Sequence, residues 1–256
     1  TASDFIKDIK VLEIIQKRLS IREEEKKLYG EVFTPIELIC QGFDYLPKDV
    51  WTNPNLKWLD PVNGIGNFTV VAYYKLYDSL KSKIPDASER SKHIIENMLY
   101  MVELNPVNVR VCIKIFKMID DKAKPNIIRH DFLKFQGFKG IDKFDIIMGN
   151  PPYNSRAGTG TGNTIWQLFT KQSLNECLKK KGYLLFVHPP GWRKPNTNRG
   201  KYYGLYNLMG INNQMEYLSI HGLEDGRQIF KAGTRYDWYV IKKVPKYKDT
   251  EISDEK

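Results

Sequence analysis

Four consecutive residues, Asn150, Pro151, Pro152 and Tyr153, carry groups suited to one kind of chemistry. An exocyclic amino group on a nucleobase is conjugated with its ring, so its lone pair is a poor nucleophile. The side-chain oxygen of Asn150 and the carbonyl of Pro151 can each accept a hydrogen bond from such an NH2 group. Two acceptors draw electron density onto the nitrogen and aim it at an electrophilic methyl donor. Tyr153 adds an aromatic face on which the base can stack. The bland alternative is an ordinary strand-to-loop turn, where Asn and Pro are common.

The surrounding elements must hold this tetrapeptide in place. Phe144 to Met148 is a short apolar, β-branched run that reads as a buried strand. Gly149 ends it, and a proline pair can neither continue a sheet nor enter a helix interior, so the chain turns. Asn150 and Pro151 are therefore expected at the carboxyl end of a strand, where open α/β sheets bind ligands.

Upstream strands end in acids. Leu56 to Asp60 reads as a strand, and Pro61-Val-Asn63-Gly64-Ile65-Gly66-Asn67-Phe68 as a glycine turn and helix start. Glycines let the backbone approach a ligand, and a helix N-terminus offers free N–H groups. No Gly-Lys-Ser/Thr follows, so this is not a phosphate loop. Met98 to Glu103 is a second strand; an acid at that place can hydrogen-bond ribose hydroxyls. Asn126 to Phe132 is a third strand, with Asp131 at its end. Ahead of all three, Phe33-Thr34-Pro35 leads into a helix running to about Leu46. Thr34 with Glu37 fits a capping box, and Pro35 suits the first helical position.

Past the tetrapeptide, the Gly- and Thr-rich run from Asn154 to Asn163 is expected to be a mobile loop over the site, with Arg156 near substrate phosphate. Ile165 to Leu178 reads as one amphipathic helix, and Lys181 to Trp192 as a fifth strand and turn. Residues 193–206 are rich in basic, Asn and Tyr residues, among them Arg193, Lys194, Arg199 and Lys201, a composition suited to phosphate contact and stacking. Met215 to Ile220 and Thr234 to Lys242 complete the strands.

In this order the motifs resemble those of S-adenosylmethionine-dependent amino methyltransferases, above all the DNA adenine-N6 enzymes of restriction-modification systems. The resemblance spans Phe33 to Lys242. It implies S-adenosylmethionine as cofactor, with Phe33, Thr34 and Pro35 at its methionine end. Asp60 and Pro61 lie near the methionine portion, Gly64, Gly66 and Asn67 form the loop, and Phe68 packs beside it. Glu103 takes the ribose and Asp131 the cofactor's adenine amino group. Leu104 and Phe132 are further cofactor-binding candidates, and Asn150 borders the same pocket. Catalysis falls to Asn150, Pro151, Pro152 and Tyr153. The implied substrate is adenine in DNA, flipped out of the stack to reach Asn150. Tyr153, Arg156, Arg193, Lys194 and Arg199 are its candidate contacts. Phe230, just before the last strand, is either a core phenylalanine or an aromatic against the extruded base.

The sequence departs from the family pattern at Asn63 and Ile65, where a small residue and a hydroxyl residue are common. Two alternatives stay open. Protein-glutamine methyltransferases share the tetrapeptide, but the Phe-Thr-Pro segment, the Asp-Pro before the glycine loop and the basic, tyrosine-rich loop argue against them. A non-catalytic nucleic-acid-binding module is kept open by Asn63 and Ile65 and opposed by the intact Asn150 to Tyr153.

The alternation of strands and helices predicts a doubly wound α/β fold of the class-I methyltransferase, Rossmann-like type, with a mostly parallel seven-stranded sheet. A helical leader is expected over residues 1–29, the catalytic domain over 30–242, and a charged, disordered tail over 243–256. Only about 15 residues follow the last strand, too few for a domain, so a separate target-recognition domain or subunit is expected.

The composition fits this reading. Hydrophobic residues make up 41% of the 256, enough for a substantial core, and 40 Lys and Arg against 30 Asp and Glu favour a polyanionic partner. Cys40, Cys112 and Cys177 are widely spaced and form no metal-type pair, so no metal site is expected. None follows a proline, as the nucleophile of a cytosine carbon-5 methyltransferase usually would. With no long apolar run and no signal peptide, the chain is expected to be soluble and cytoplasmic, without a membrane partner.

Overall fold

The computed structural model describes Leu12 and residues 33–154, 164–195, 199–231 and 233–254. The rest of the leader read over 1–29, and Arg156, lie outside the described residues; Leu12 is buried in the core.

Eight strands form one sheet. They are β1 (Trp58–Asp60), β2 (Leu99–Glu103), β3 (Asn126–Arg129), β4 (Phe144–Gly149), β5 (Leu178–His188), β6 (Gln214–His221), β7 (Tyr236–Lys242) and β8 (Glu251–Asp254). Their order is β3-β2-β1-β4-β5-β7-β6-β8. All neighbours are parallel except those of β7, which runs antiparallel to both β5 and β6. The strand order reverses between β1 and β4, and a crevice opens beyond the carboxyl ends of strands at such a point.

The α-helices among the described residues are α1 (Ile36–Asp44), α2 (Lys48–Thr52), α3 (Asn67–Ser79), α4 (Ala87–His93), α5 (Pro106–Ile119), α6 (Trp166–Gln172), α7 (Leu205–Gly210) and α8 (Leu223–Phe230). They cover both faces, so the central strands are apolar on both sides. Ile146, Met148, Leu185 and Val187 pack with α1, α3 and α5, while the alternate residues Ile147, Leu184 and Phe186 pack with α6 and α7. Among the described residues, no helix is long and apolar enough to cross a membrane.

Three expectations need correction. The sheet has eight strands, not seven, because the charged tail is not structureless. Gln214 Oε1 accepts from the backbone N–H groups of Tyr247 and Lys248 at 2.9 and 3.1 Å, and Lys248 pairs with Glu216 at 2.6 Å. These contacts from β6 lay 251–254 alongside it as a parallel edge strand. The single helix read from Ile165 to Leu178 is α6 followed by a wide helical turn, Ser173–Cys177, and Leu178 already belongs to β5. The capping box of Thr34 and Glu37 does not form. Pro35, in extended conformation, precedes α1, and no side chain caps it.

Candidate active site

The carboxyl ends of β1, β2 and β4 bring together several of the expected residues. Asp60 ends β1 fully buried, with Oδ1 accepting the Val62 N–H at 3.0 Å. Burial pushes its carboxyl well above the usual range; the Val62 N–H opposes this and the nearby Glu103 charge adds to it. Gly149 at the end of β4 has φ +157°, and a Cβ there would stand 3.0 Å from Asp60 Oδ1. Glycine at 149 is what lets the tetrapeptide lie flush against the acid.

The glycine loop is braced from three sides. Glu103, buried at the end of β2, accepts the N–H of Gly64 through Oε2 and that of Asn105 through Oε1, each at 2.7 Å. Asn63 is buried: Nδ2 donates to the Gly64 carbonyl and to Cys112 Sγ, both at 3.2 Å, and Oδ1 accepts the Thr69 hydroxyl at 2.8 Å. Ile65 is buried in the core. The two departures from the family pattern thus support the loop from behind. Gly66, at φ +106°, is the N-cap residue before α3, and a Cβ there would meet Cys112 Sγ at 3.2 Å. Gly64 has φ +56°, and the Phe33 ring edge lies 3.8 Å from where its Cβ would be.

Thr34 joins this cradle to the tetrapeptide. It is buried; its carbonyl accepts Asn67 Nδ2 at 3.0 Å and its Oγ1 accepts Asn150 Nδ2 at 3.1 Å. Tyr153 is half-buried with its hydroxyl inside the protein. Burial raises its phenol pKa, the nearby Asn150 side chain opposes the rise, and Tyr236 adds to it. The Tyr153 carbonyl accepts the Ile165 N–H at 3.1 Å.

Not every expected site residue reaches the crevice with its side chain. Phe68 packs edge-on to Phe43 in the core, and Phe132 stacks between Phe135 and Phe169. Asn67 uses its amide on Thr34. Asp131 caps the short turn after β3, accepting the Leu133 N–H at 3.0 Å. Leu104 is exposed, Pro61 and Pro151 are buried, and Pro35 and Pro152 are half-buried.

On the substrate side, Arg193 is partly exposed and ion-paired. Its Nε lies 3.2 Å from Oδ2 of the fully buried Asp237, which also accepts Trp192 Nε1 at 3.0 Å. Burial pushes the Asp237 carboxyl up to about 7 against the pull of Arg193 and Trp192. Lys194, Arg199 and Lys201 are exposed. Phe230 ends α8 buried, edge-on to Tyr236 at 4.9 Å, and Tyr236 stacks on His221 at 4.3 Å. Sequence reasoning missed Tyr236, whose place beside Tyr153 depends on long-range packing and has no local signal.

Residues 13–230 match the family model of the Eco57I restriction-modification methylases. The chain belongs to the Eco57I restriction-modification methylase family. It is 27% identical over 233 residues to an adenine-specific methylase of Mycoplasma pneumoniae that is otherwise uncharacterised, covering 63% of this chain and 55% of that protein. It is 26% identical over 180 residues to the type II methyltransferase M.VspI of a Vibrio strain, covering 66% of this chain and 39% of that protein. The chain spans about half the length of the curated relatives it matches. Among solved structures, a Listeria monocytogenes protein provisionally classed as a class I S-adenosylmethionine-dependent methyltransferase superposes with a TM-score of 0.64 at 15% identity, over 98% of this chain and 73% of that chain. The M protein of the type I restriction enzyme EcoKI gives a TM-score of 0.59 at 18% identity, over 89% of this chain and 49% of that chain. The chain thus has an α/β fold similar to that of class-I S-adenosylmethionine-dependent methyltransferases.

Proposed function

We propose that the chain transfers a methyl group from S-adenosylmethionine to the N6 amino group of adenine in DNA, as the modification activity of a restriction-modification system. The observation that carries this reading is the placement of Asn150. Its amide stands at the carboxyl end of β4, tied to the Phe33–Pro35 segment and beside the glycine loop of β1.

The cradle fits the cofactor by the chemistry of its groups. Gly64 leaves backbone open beneath the Phe33 ring, and Glu103 and Asp131 supply acids after β2 and β3 for polar hydroxyl and amino groups. Bound there, S-adenosylmethionine supplies a methyl group on a positively charged sulfur, a good electrophile. The protein's part is to make the adenine nitrogen a sufficient nucleophile. The Asn150 side-chain oxygen and the Pro151 carbonyl accept from the amino group, and acceptors preorganised in this way act without reorganisation at the moment of reaction. As the C–N bond forms the methyl–sulfur bond breaks, the cofactor leaving as a neutral thioether, and the amino group becomes acidic enough to lose its proton to water, so no strong base is required. Tyr153 stacks on the base, with Phe230 and Tyr236 behind it, and flipping brings adenine to them. The exposed Lys194 and Arg199 grip phosphate, and outside the described residues Arg156 does the same.

The target sequence is read by a domain or subunit beyond this stretch, and the protein works in the cytoplasm, with the DNA. The test is incubation with methyl-labelled S-adenosylmethionine and unmethylated phage DNA, followed by nucleoside analysis. N6-methyladenine is expected; label in protein glutamine, or none in DNA, contradicts the reading.

A further inference from the structure

We infer that Thr34 is a positioning residue for the methyl acceptor: its hydroxyl sets the orientation of the Asn150 amide. The inference rests on the reading of Asn150 as the group that accepts from the adenine amino group. It moves Thr34 from the cofactor side of the site to the chemistry.

An asparagine side chain has one end that accepts and one that donates. Only the oxygen can accept from an NH2 group. An amide turned over by half a rotation would present its own NH2 to the base and repel it. In the structure the nitrogen end is the engaged one: Asn150 Nδ2 donates to Thr34 Oγ1 at 3.1 Å, which leaves the oxygen end for the base. The two residues are 116 positions apart in sequence, so this contact is a product of the fold.

The local backbone explains why the hydroxyl is available. A Thr three residues before Glu37 could cap a helix, yet α1 begins only at Ile36, after Pro35 in extended conformation. A residue that precedes proline is itself held away from helical geometry. Thr34 is thereby kept in the extended approach to α1, its Oγ1 turned to Asn150 and not to the helix N-terminus. Its own position is secured by Asn67, the first residue of α3, whose Nδ2 donates to the Thr34 carbonyl at 3.0 Å. Thr34 is only 3% exposed, so water does not compete freely for either contact. One line of hydrogen bonds then runs from the helix behind the glycine loop, through Thr34, to the catalytic amide. The cofactor cradle and the acceptor are set by the same residue.

The test uses the full-length protein in single-turnover methyl transfer to unmethylated phage DNA at saturating cofactor, with separate cofactor titrations. Thr34→Val keeps the shape and removes the hydroxyl. It should slow the chemical step about tenfold, the scale of one hydrogen bond removed, with cofactor affinity nearly unchanged. Thr34→Ser restores the hydroxyl and should recover most of that loss. On an Asn150→Ala background, Thr34→Val should add no further loss, because the group it orients is gone. The inference is overturned if Thr34→Val transfers at the parent rate, if its loss lies wholly in cofactor affinity, if Thr34→Ser is as slow as Thr34→Val, or if the two substitutions multiply. If Asn150→Ala itself transfers at the parent rate, the proposed function fails and takes this inference with it. If Asn150→Ala slows transfer and Thr34→Val does not, only this inference fails.

Discussion

Glu103 Oε2 accepts the backbone N–H of Gly64 at 2.7 Å, linking the end of β2 to the glycine loop after β1. With its other oxygen on the Asn105 N–H, the carboxylate both shapes the loop and stands at the place expected to take ribose hydroxyls. Glu103→Ala should weaken cofactor binding by about 1–3 kcal/mol, the usual loss for hydrogen bonds to a charged group. Calorimetric titration of cofactor checks this. Loss of stability with unchanged affinity would leave Glu103 a loop brace and remove the ribose assignment.

Asn63 is the second brace. Removing its amide leaves the Gly64 carbonyl without this donor, takes one donor from the buried Cys112 sulfur, which keeps its contact to Met101 Sδ, and deprives the Thr69 hydroxyl of one acceptor. Asn63→Ala should therefore destabilise the fold by about 1–3 kcal/mol. Urea unfolding gives the value, and an unchanged midpoint would show that the loop holds without this side chain.

Asp237 gives the protein a pH dependence of definite sign. Its carboxyl is pushed from the ordinary 3.8 up to about 7 in the folded state. Between those values the folded chain keeps a proton that the unfolded chain releases, so this group's contribution to stability falls as pH rises from about 4 to about 7, and then levels off. Asp237→Asn should flatten that fall. The comparison is of denaturation midpoints for parent and variant at about pH 4 and about pH 8, between which most of the fall occurs. Parallel pH profiles for the two proteins would contradict the assignment.

Much of the fold and part of the site are legible in the sequence, for physical reasons. Apolar runs closed by Asp60, Glu103 and the Asn150 turn are local signals, and strands β1, β2 and β4 stand where those signals place them. Side chains whose partners are distant in sequence are not legible. Phe68 and Phe132 follow motif residues, but their rings join the core because Phe43 and Phe169 are there to receive them. Arg193 reads as a cation in a basic loop, and its ion pair with the buried Asp237 has no local signal. The polar strand β8 has no apolar alternation to announce it, because it is an edge strand with little burial and is held by contacts from Gln214 and Glu216. Asn63 reads as a departure from the cofactor pattern; its buried partners give it a structural role.

The basic loop after β5 also carries exposed cations that should meet DNA. Lys194, Arg199 and Lys201 are exposed after the β5 turn. Replacing these three with Ala should weaken DNA binding and lower the slope of log affinity against log salt by about 1 for each phosphate no longer neutralised. Binding isotherms at several salt concentrations measure it. An unchanged slope would show that this loop faces away from the DNA.

The central claim is that the Asn150 side chain polarises the amino group that receives the methyl. Asn150→Ala removes the acceptor at the end of β4 and leaves Asp60, Glu103 and the glycine loop in place. The direct measurement is single-turnover transfer from labelled S-adenosylmethionine to adenine in DNA, with cofactor affinity titrated alongside. The account predicts nearly unchanged cofactor affinity and a chemical step slowed at least about 100-fold, the scale seen when a preorganised polar contact is removed. Transfer at the parent rate by the Asn150→Ala protein would contradict it.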